Sequence, residues 1–320
     1  MRRLAAAVAA LLPVVLVLGA CSPSDDDAWT EQLPETVTIA TGGTTGIYHA
    51  YGTALAAQLE ERHGVEVEVL STGGSIENLH LLAEGTAQIA FSAADAAGDA
   101  VDGTGEFDAP MDVRSLARVY DDFEHVVVPA DSPVETLEDL RGLRVSIGAR
   151  ESGTSLIAHR VLAAAGMDAA DLRPVELGIT ESIEALEAGR IDAFFWSGGL
   201  STPGLVDLSD RMELRLVPLQ RVVDELRVQH GHEYRPGRVP EGTYGLPEDV
   251  DTLAVPNVLL VGADMPDDVA RGLVELLFGT RSQLTETVGA ASVLDLYRAI
   301  YTAPIELHPG AREFYRATKS

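Results

Sequence analysis

Short runs of glycine, serine and threonine stand where strand-like segments give way to helix-like ones, and their chemistry is that of anion capture. Val37-Thr-Ile-Ala-Thr41 leads into Gly42-Gly-Thr-Thr-Gly46-Ile47-Tyr48, and Val145-Ser-Ile-Gly-Ala149 leads into Arg150-Glu-Ser152-Gly153-Thr154. A third run, Ser71-Thr72-Gly73-Gly-Ser75, follows the alternating Val65–Leu70 segment, and Ser197-Gly198-Gly199 follows Ala193–Trp196. Backbone N–H groups at a helix start have no intrahelical acceptor, and the helix dipole favours negative charge there. Glycine permits close backbone approach, and serine or threonine hydroxyls either cap the helix or touch a ligand. Taken singly, Ser75 or Thr154 is equally well explained as a cap. Repeated at strand ends, where open α/β sheets bind ligands, the loops point to a small anion or a carboxylate held between two lobes.

Other chemistry finds little support. The first loop lacks the GxGxxG spacing, and the run from Gly148 to Thr154 carries Thr where a phosphate-binding loop requires Lys. Lys319 is the only lysine, which also argues against Schiff-base chemistry. There is no GxSxG nucleophile elbow. His230 and His232 form the one close histidine pair, without further ligands spaced to complete a metal site, so neither metal nor cofactor is expected. Arg114, Arg118 and Arg150 are candidates for pairing an anion, Arg150 first because it sits in a glycine loop. The alternative is that they are surface counter-ions to the 50 acidic residues. Tyr48 opens the first helix and either covers the ligand or forms cleft wall.

The elements that must position these loops read as an α/β chain. Val37–Thr41, a helix over Ile47–Arg62, Val65–Leu70, a helix over Ile76–Glu84 and Gln88–Ser92 make a β-α-β-α-β run, which predicts a parallel sheet. The apolar His125–Pro129 run crosses to a second lobe. There Leu137–Leu140 and Ser155–Ala165 are helical, Arg144–Ala149, Pro174–Leu177, Ala193–Trp196 and Arg215–Leu219 are strands, and Glu181–Ala188 is a helix. Residues 220–251 resist assignment. Leu253–Val261 returns the chain to the first lobe, where Asp267–Phe278 and Val288–Ile300 are expected to be helical. The expected division is 36–125 plus 251–320 for lobe one and 126–250 for lobe two. A length of 320 residues exceeds what one core usually supports.

The N-terminus reads as an address. Met1-Arg2-Arg3 precedes the apolar Leu4–Leu18 stretch, and Leu18-Gly19-Ala20-Cys21 resembles a lipoprotein cleavage box. On this reading residues 1–20 are a signal peptide, Cys21 is lipidated and residues 21–35 are a flexible acidic tether; the alternative is an uncleaved anchor. Cys21 is the only cysteine, so no disulfide within the chain is possible. The formal charge of −27 argues against nucleic-acid binding.

The chain resembles the TAXI family of solute receptors, which serve TRAP-type transporters. The residues that carry the resemblance are ATGGTTGIYHAYG (40–52), STGGSIENLHLLAEG (71–85), LEDLRGLRVSIGARESGT (137–154), DAFFWSGGLSTPGL (192–205), TLAVPNVLLV (252–261) and IELHPGAREFYR (305–316). The resemblance implies a two-lobed periplasmic-binding-protein fold, type II-like, with a mostly parallel, helix-flanked sheet in each lobe and a ligand cleft between them. It implies ligand contacts at Gly46, Ile47, Tyr48, Ser71, Thr72, Gly73, Asn78, Ser152, Gly153, Thr154, Ser197 and Gly198, and a structural role for His308–Ala311. Where relatives have Gln-Ser-Asp after the third strand, this chain has Ala93-Ala94-Asp95, and Glu151 replaces a small residue. The expected function is non-enzymatic: an extracytoplasmic, lipid-anchored, monomeric receptor that delivers a small organic anion, glutamate or a related amino or dicarboxylic acid, to a TRAP permease. The alternative is a sensing module of the same fold that signals to a membrane kinase.

Overall fold

The computed structural model describes residues 28–318; Cys21, the signal segment, most of the tether and Lys319 lie outside the described residues. The chain begins as the β-α-β-α-β pattern predicts, with β1 (Thr36–Ala40), α1 (Ile47–His63), β2 (Glu66–Leu70), α2 (Ser75–Ala83) and β3 (Ile89–Ala93). α1 buries Ile47, Tyr51, Leu55 and Leu59, one residue per turn on one face. It stops at Gly64, whose φ of 66° is left-handed and whose N–H returns to the Glu60 carbonyl. α3 (Ala94–Asp102) follows β3 directly, and the 17-residue β4 (Val113–Pro129) comes next.

The chain continues through β5 (Arg144–Ser146), α4 (Gly153–Ala164), β6 (Arg173–Val175), α5 (Ile179–Glu187), β7 (Ala193–Gly198), α6 (Pro203–Ser209) and β8 (Leu214–Leu216). The stretch that resists assignment from sequence contains α7 (Val223–His230) and β9 (Arg235–Val239). β10 (Val250–Gly262), α8 (Asp267–Gly279), α9 (Arg281–Thr287) and α10 (Pro309–Thr318) complete the fold.

Among the described residues ten strands join one sheet in the order β2-β1-β3-β10-β4-β7-β5-β6, with β8 on β4 and β9 on β10. The flanks β2-β1-β3 and β7-β5-β6 are parallel. β4 and β10 run antiparallel to each other along the middle; β10 also pairs with β3 of the first half and with β9, and β4 with β7 and β8 of the second. Apolar clusters cover both faces of each half: α1 and α8 against one face of the first half, α2 and α3 against the other, and two further clusters in the second half. On β4 the clusters stop at Tyr120 and resume at Val126, and on β10 the gap falls at Pro256-Asn257. A polar seam, Asp121-Asp122-Phe123-Glu124-His125 beside Asn257, thus separates two cores on the same pair of strands.

Two expectations change. β4 starts at Val113, twelve residues before the apolar run: it pairs with β10 from Val113 on, with two register shifts, and from Tyr120 to Glu124 burial alternates, with Tyr120, Asp122 and Glu124 inside. Val288–Ile300 is not one helix. α9 ends at Thr287, a short 3-10 turn covers Gly289–Val293, and the Asp295 carboxylate then accepts from the Tyr297 and Arg298 N–H groups, a local turn that competes with helix. Among the described residues no helix is long and apolar enough to cross a membrane.

Candidate functional site

A cavity of about 590 Å³ opens over the polar seam, within the range of small-molecule sites. Its first wall is the loop after β1 with the start of α1: Gly42 to Thr44, Gly46, Ile47 and Tyr48. The Gly46 N–H closes a turn onto the Gly43 carbonyl at 2.8 Å. A Cβ on Gly46 would stand 3.1 Å from that carbonyl and 3.4 Å from the Trp196 ring. The second wall is Ser71, Thr72, Gly73, Gly74 and Ser75. The third is Gly148, Ala149 and the α4 start, Ser152, Gly153 and Thr154. Ser152 caps α4 by accepting from the Ser155 N–H at 3.0 Å.

Sequence reasoning missed two further parts. The α5 start, Gly178, Ile179 and Thr180, forms a fourth wall, although it repeats the strand–glycine–helix pattern in weaker form. The floor is Tyr120 and Asp122 from β4 together with Phe195 to Gly198 from β7, which includes the expected Ser197 and Gly198. Ser197 bridges wall and floor: its N–H donates to Thr154 Oγ1 at 3.2 Å, and its hydroxyl lies 3.4 Å from Asp122 Oδ2.

Asn78 and Arg150 do not line the cavity. Asn78 is fully buried beneath the second wall. Its amide donates to the carbonyls of Thr41 and Phe91, and its oxygen accepts from Thr72 at 2.6 Å, which ties β1, β3 and the loop together. The Arg150 side chain is 78 % exposed and pairs with Glu176 at 3.0 Å. Arg114 pairs with Asp112, and Arg118 with Asp121. Among the described residues no arginine, lysine or histidine borders the cavity; its charged residues are Asp122, Glu176 and Glu181.

The two halves of the sheet meet at several places: Thr45 is 3.0 Å from Thr180 hydroxyl to hydroxyl, Arg160 pairs with Asp99 at 2.6 Å, and the 71–77 loop meets the 150–153 loop at one rim. The N–H groups of Ile76 and Glu77, at the start of α2, both donate to the Glu151 carbonyl at 3.1 Å. A Cβ on Gly73 would stand 2.7 Å from the Arg150 carbonyl, so the approach of the two loops requires glycine there. Glu151 itself has a left-handed φ of 58°.

The seam beneath the cavity is unusually acidic. Burial, with the nearby Asp121 and Asp95 charges adding to it, pushes the Asp122 carboxyl up to about 8. Asp122 Oδ1 has no hydrogen-bond partner, and neither has either Glu124 oxygen. Glu124 is also pushed well above the carboxylate range, first by burial and then by Asp122. Burial pulls His125 down to about 4, so it is neutral at pH 7, with Nδ1 3.1 Å from the Trp196 carbonyl. Tyr48 stacks on Phe91 and donates its hydroxyl to Asn257.

Two parallel-flanked half-sheets joined through two long strands over an interposed cavity define the two-lobed fold of periplasmic binding proteins. A protein of Bordetella bronchiseptica RB50 superposes with a TM-score of 0.57 at 15 % identity, covering 90 % of this chain and 99 % of its own. A putative L-cystine ABC transporter protein from Listeria monocytogenes gives 0.50 at 15 % identity, over 82 % and 99 %. The periplasmic aliphatic sulphonate binding protein SsuA of Escherichia coli gives 0.47 at 15 % identity, over 82 % and 80 %. The model of the NMT1-like family matches residues 39–317, and the chain belongs to that family.

Proposed function

We propose that this protein is an extracytoplasmic receptor of the TAXI type. It captures a small organic anion, glutamate or a related amino or dicarboxylic acid, and delivers it to a TRAP-type permease without chemical turnover. The observation that carries this reading is the convergence of three helix starts, those of α1, α4 and α5, on one cavity. Their first N–H groups have no intrahelical acceptor and suit carboxylate oxygens. A micromolar affinity is worth about 8 kcal/mol, and four or five hydrogen bonds to a charged group at about 1.5–3 kcal/mol each reach it after ordering costs. The Listeria neighbour, whose name ties it to cystine transport, supports a solute-binding role of the same kind.

In this reading residues 36–125 plus 251–320 form one lobe and 126–250 the other, and β4 and β10 carry the hinge. Solute enters the open form, and closure brings the α4 start against the 71–75 loop. Lipidation at Cys21 holds the receptor at the membrane, where it works as a monomer. The test is thermal melting of the purified protein against organic acids and amino acids. A saturable rise in melting temperature with one class supports the reading, since a ligand that binds only the native state must stabilise it. No rise with any organic anion, in protein freed of carried-over ligand, sinks it.

A further inference from the structure

Asp122 is the cavity-lining group whose chemistry is left incomplete. It is 4 % exposed, and its Oδ1 has no partner. The other two cavity acids differ: Glu176 is engaged by Arg150, and Glu181 is exposed. Every element packed against Asp122 brings a neutral or acidic group towards it. α1 supplies the Tyr48 hydroxyl, β7 supplies Ser197, and β10 supplies the Asn257 amide; its own strand supplies Tyr120, Asp121 and Glu124, and the nearest charge across the sheet is Asp95 of α3. The nearby guanidinium groups are already taken: Arg118 and Arg235 hold Asp121, and Arg160 holds Asp99 and Asp95. A purely anionic solute would find no cation on this floor among the described residues. The helix starts that suit an anion stand on the walls instead.

We propose that Asp122 is the counter-ion for an ammonium group of the solute, so that the cleft selects zwitterions, ammonium on the floor and carboxylate at the helix starts. This rests on the receptor reading above and narrows it to amine-bearing acids. It also fixes a pH dependence. Burial holds the Asp122 proton up to about 8, and an ammonium displaces that proton. Affinity for an amine-bearing solute therefore rises between pH 6 and pH 8, by up to tenfold per unit. If Asp122 instead stayed protonated and donated its O–H to an anion, affinity would fall over the same range.

Titration calorimetry on the purified protein decides it, with matched probes at pH 6, 7 and 8: L-glutamate against glutarate, L-aspartate against succinate, and L-leucine against 4-methylpentanoate. The expected result is that the amino member of the binding pair is at least tenfold tighter, with the gap widening as pH rises. Asp122→Asn closes the gap to within threefold. Glu124→Gln, on the same strand but not lining the cavity, leaves it. A des-amino acid that binds as tightly as its partner, affinity that falls with pH, or a gap abolished equally by Glu124→Gln overturns the inference and leaves the receptor standing. Absence of binding by every probe, acid and amino acid alike, overturns the receptor reading as well. The wild-type arms stand alone should Asp122→Asn fail to melt cooperatively.

Discussion

The starts of α1 and α2 carry nearly the same signature, paired glycines and hydroxyl residues ahead of an apolar helix, but their first N–H groups meet different surroundings. At α1, Gly46, Ile47 and Tyr48 border the cavity. At α2, the Ile76 and Glu77 N–H groups are consumed by the Glu151 carbonyl of the facing half. An orphan donor at a helix start is satisfied by whatever acceptor the fold presents. At α2 that acceptor is protein; at α1, on the receptor reading proposed above, it is the solute. The same local sequence therefore supplies cavity wall in both places and, at α2, a clasp between the half-sheets as well.

The strongest way to break this division is at Gly153, where wall and clasp meet. A Cβ there would stand 2.8 Å from Ser75 Oγ and 3.3 Å from Ser75 Cβ, and Ser75 is itself held by the Ala93 N–H. Gly153→Val should weaken binding of the solute found by melting about 100-fold or more, roughly 2.7 kcal/mol, read by calorimetry. Unchanged affinity would mean that the α4 start neither borders the solute nor approaches Ser75 when it binds.

The floor between the two starts gives a second test, read in stability instead of affinity. A carboxyl raised from 3.8 to about 8 binds more protons folded than unfolded between those values, so its contribution to stability is full below about pH 4 and is lost as pH rises through 8. Asp122→Asn removes that loss. At pH 9 the variant should exceed wild type in denaturant stability by a few kcal/mol, at about 1.4 kcal/mol per pK unit, and the two should converge near pH 4. A gap independent of pH would show that the carboxyl is not held protonated by burial. A smaller effect belongs to the α4 cap. Ser152→Ala loses the bond to the Ser155 N–H, costs about 1 kcal/mol, and should lower the melting temperature by a few degrees.

The loops were legible in the sequence because their signals are local. A strand, a Gly/Ser/Thr turn and an amphipathic helix can be read within twenty residues, and the α1, α2 and α4 starts fall within a residue or two of where the pattern puts them. The floor was not legible. Asp121-Asp122-Phe123-Glu124 carries no local motif, and only pairing with β7 and β10 buries two of its carboxyls. Arg150 likewise looks like an anion ligand until β6 ends beside it and Glu176 takes its guanidinium. Asn78 sits in a motif that points to ligand contact, yet three hydrogen bonds inside the first half-sheet occupy it. Long-range partners decide each of these, and no window of sequence contains them.

The smallest effect is the sharpest test of which atoms of the clasp matter. Glu151 is exposed, does not line the cavity, and contributes its carbonyl to α2. Its φ of 58° costs a non-glycine residue about 1 kcal/mol or more. Glycine removes that strain but gives up about 0.5–1 kcal/mol through the freedom it adds to the unfolded chain. Glu151→Gly should therefore change stability by less than about 1 kcal/mol and solute affinity by no more than twofold, because the carbonyl that joins the halves is backbone and survives the change. A tenfold loss of affinity with unchanged stability would place the Glu151 carboxylate on the solute.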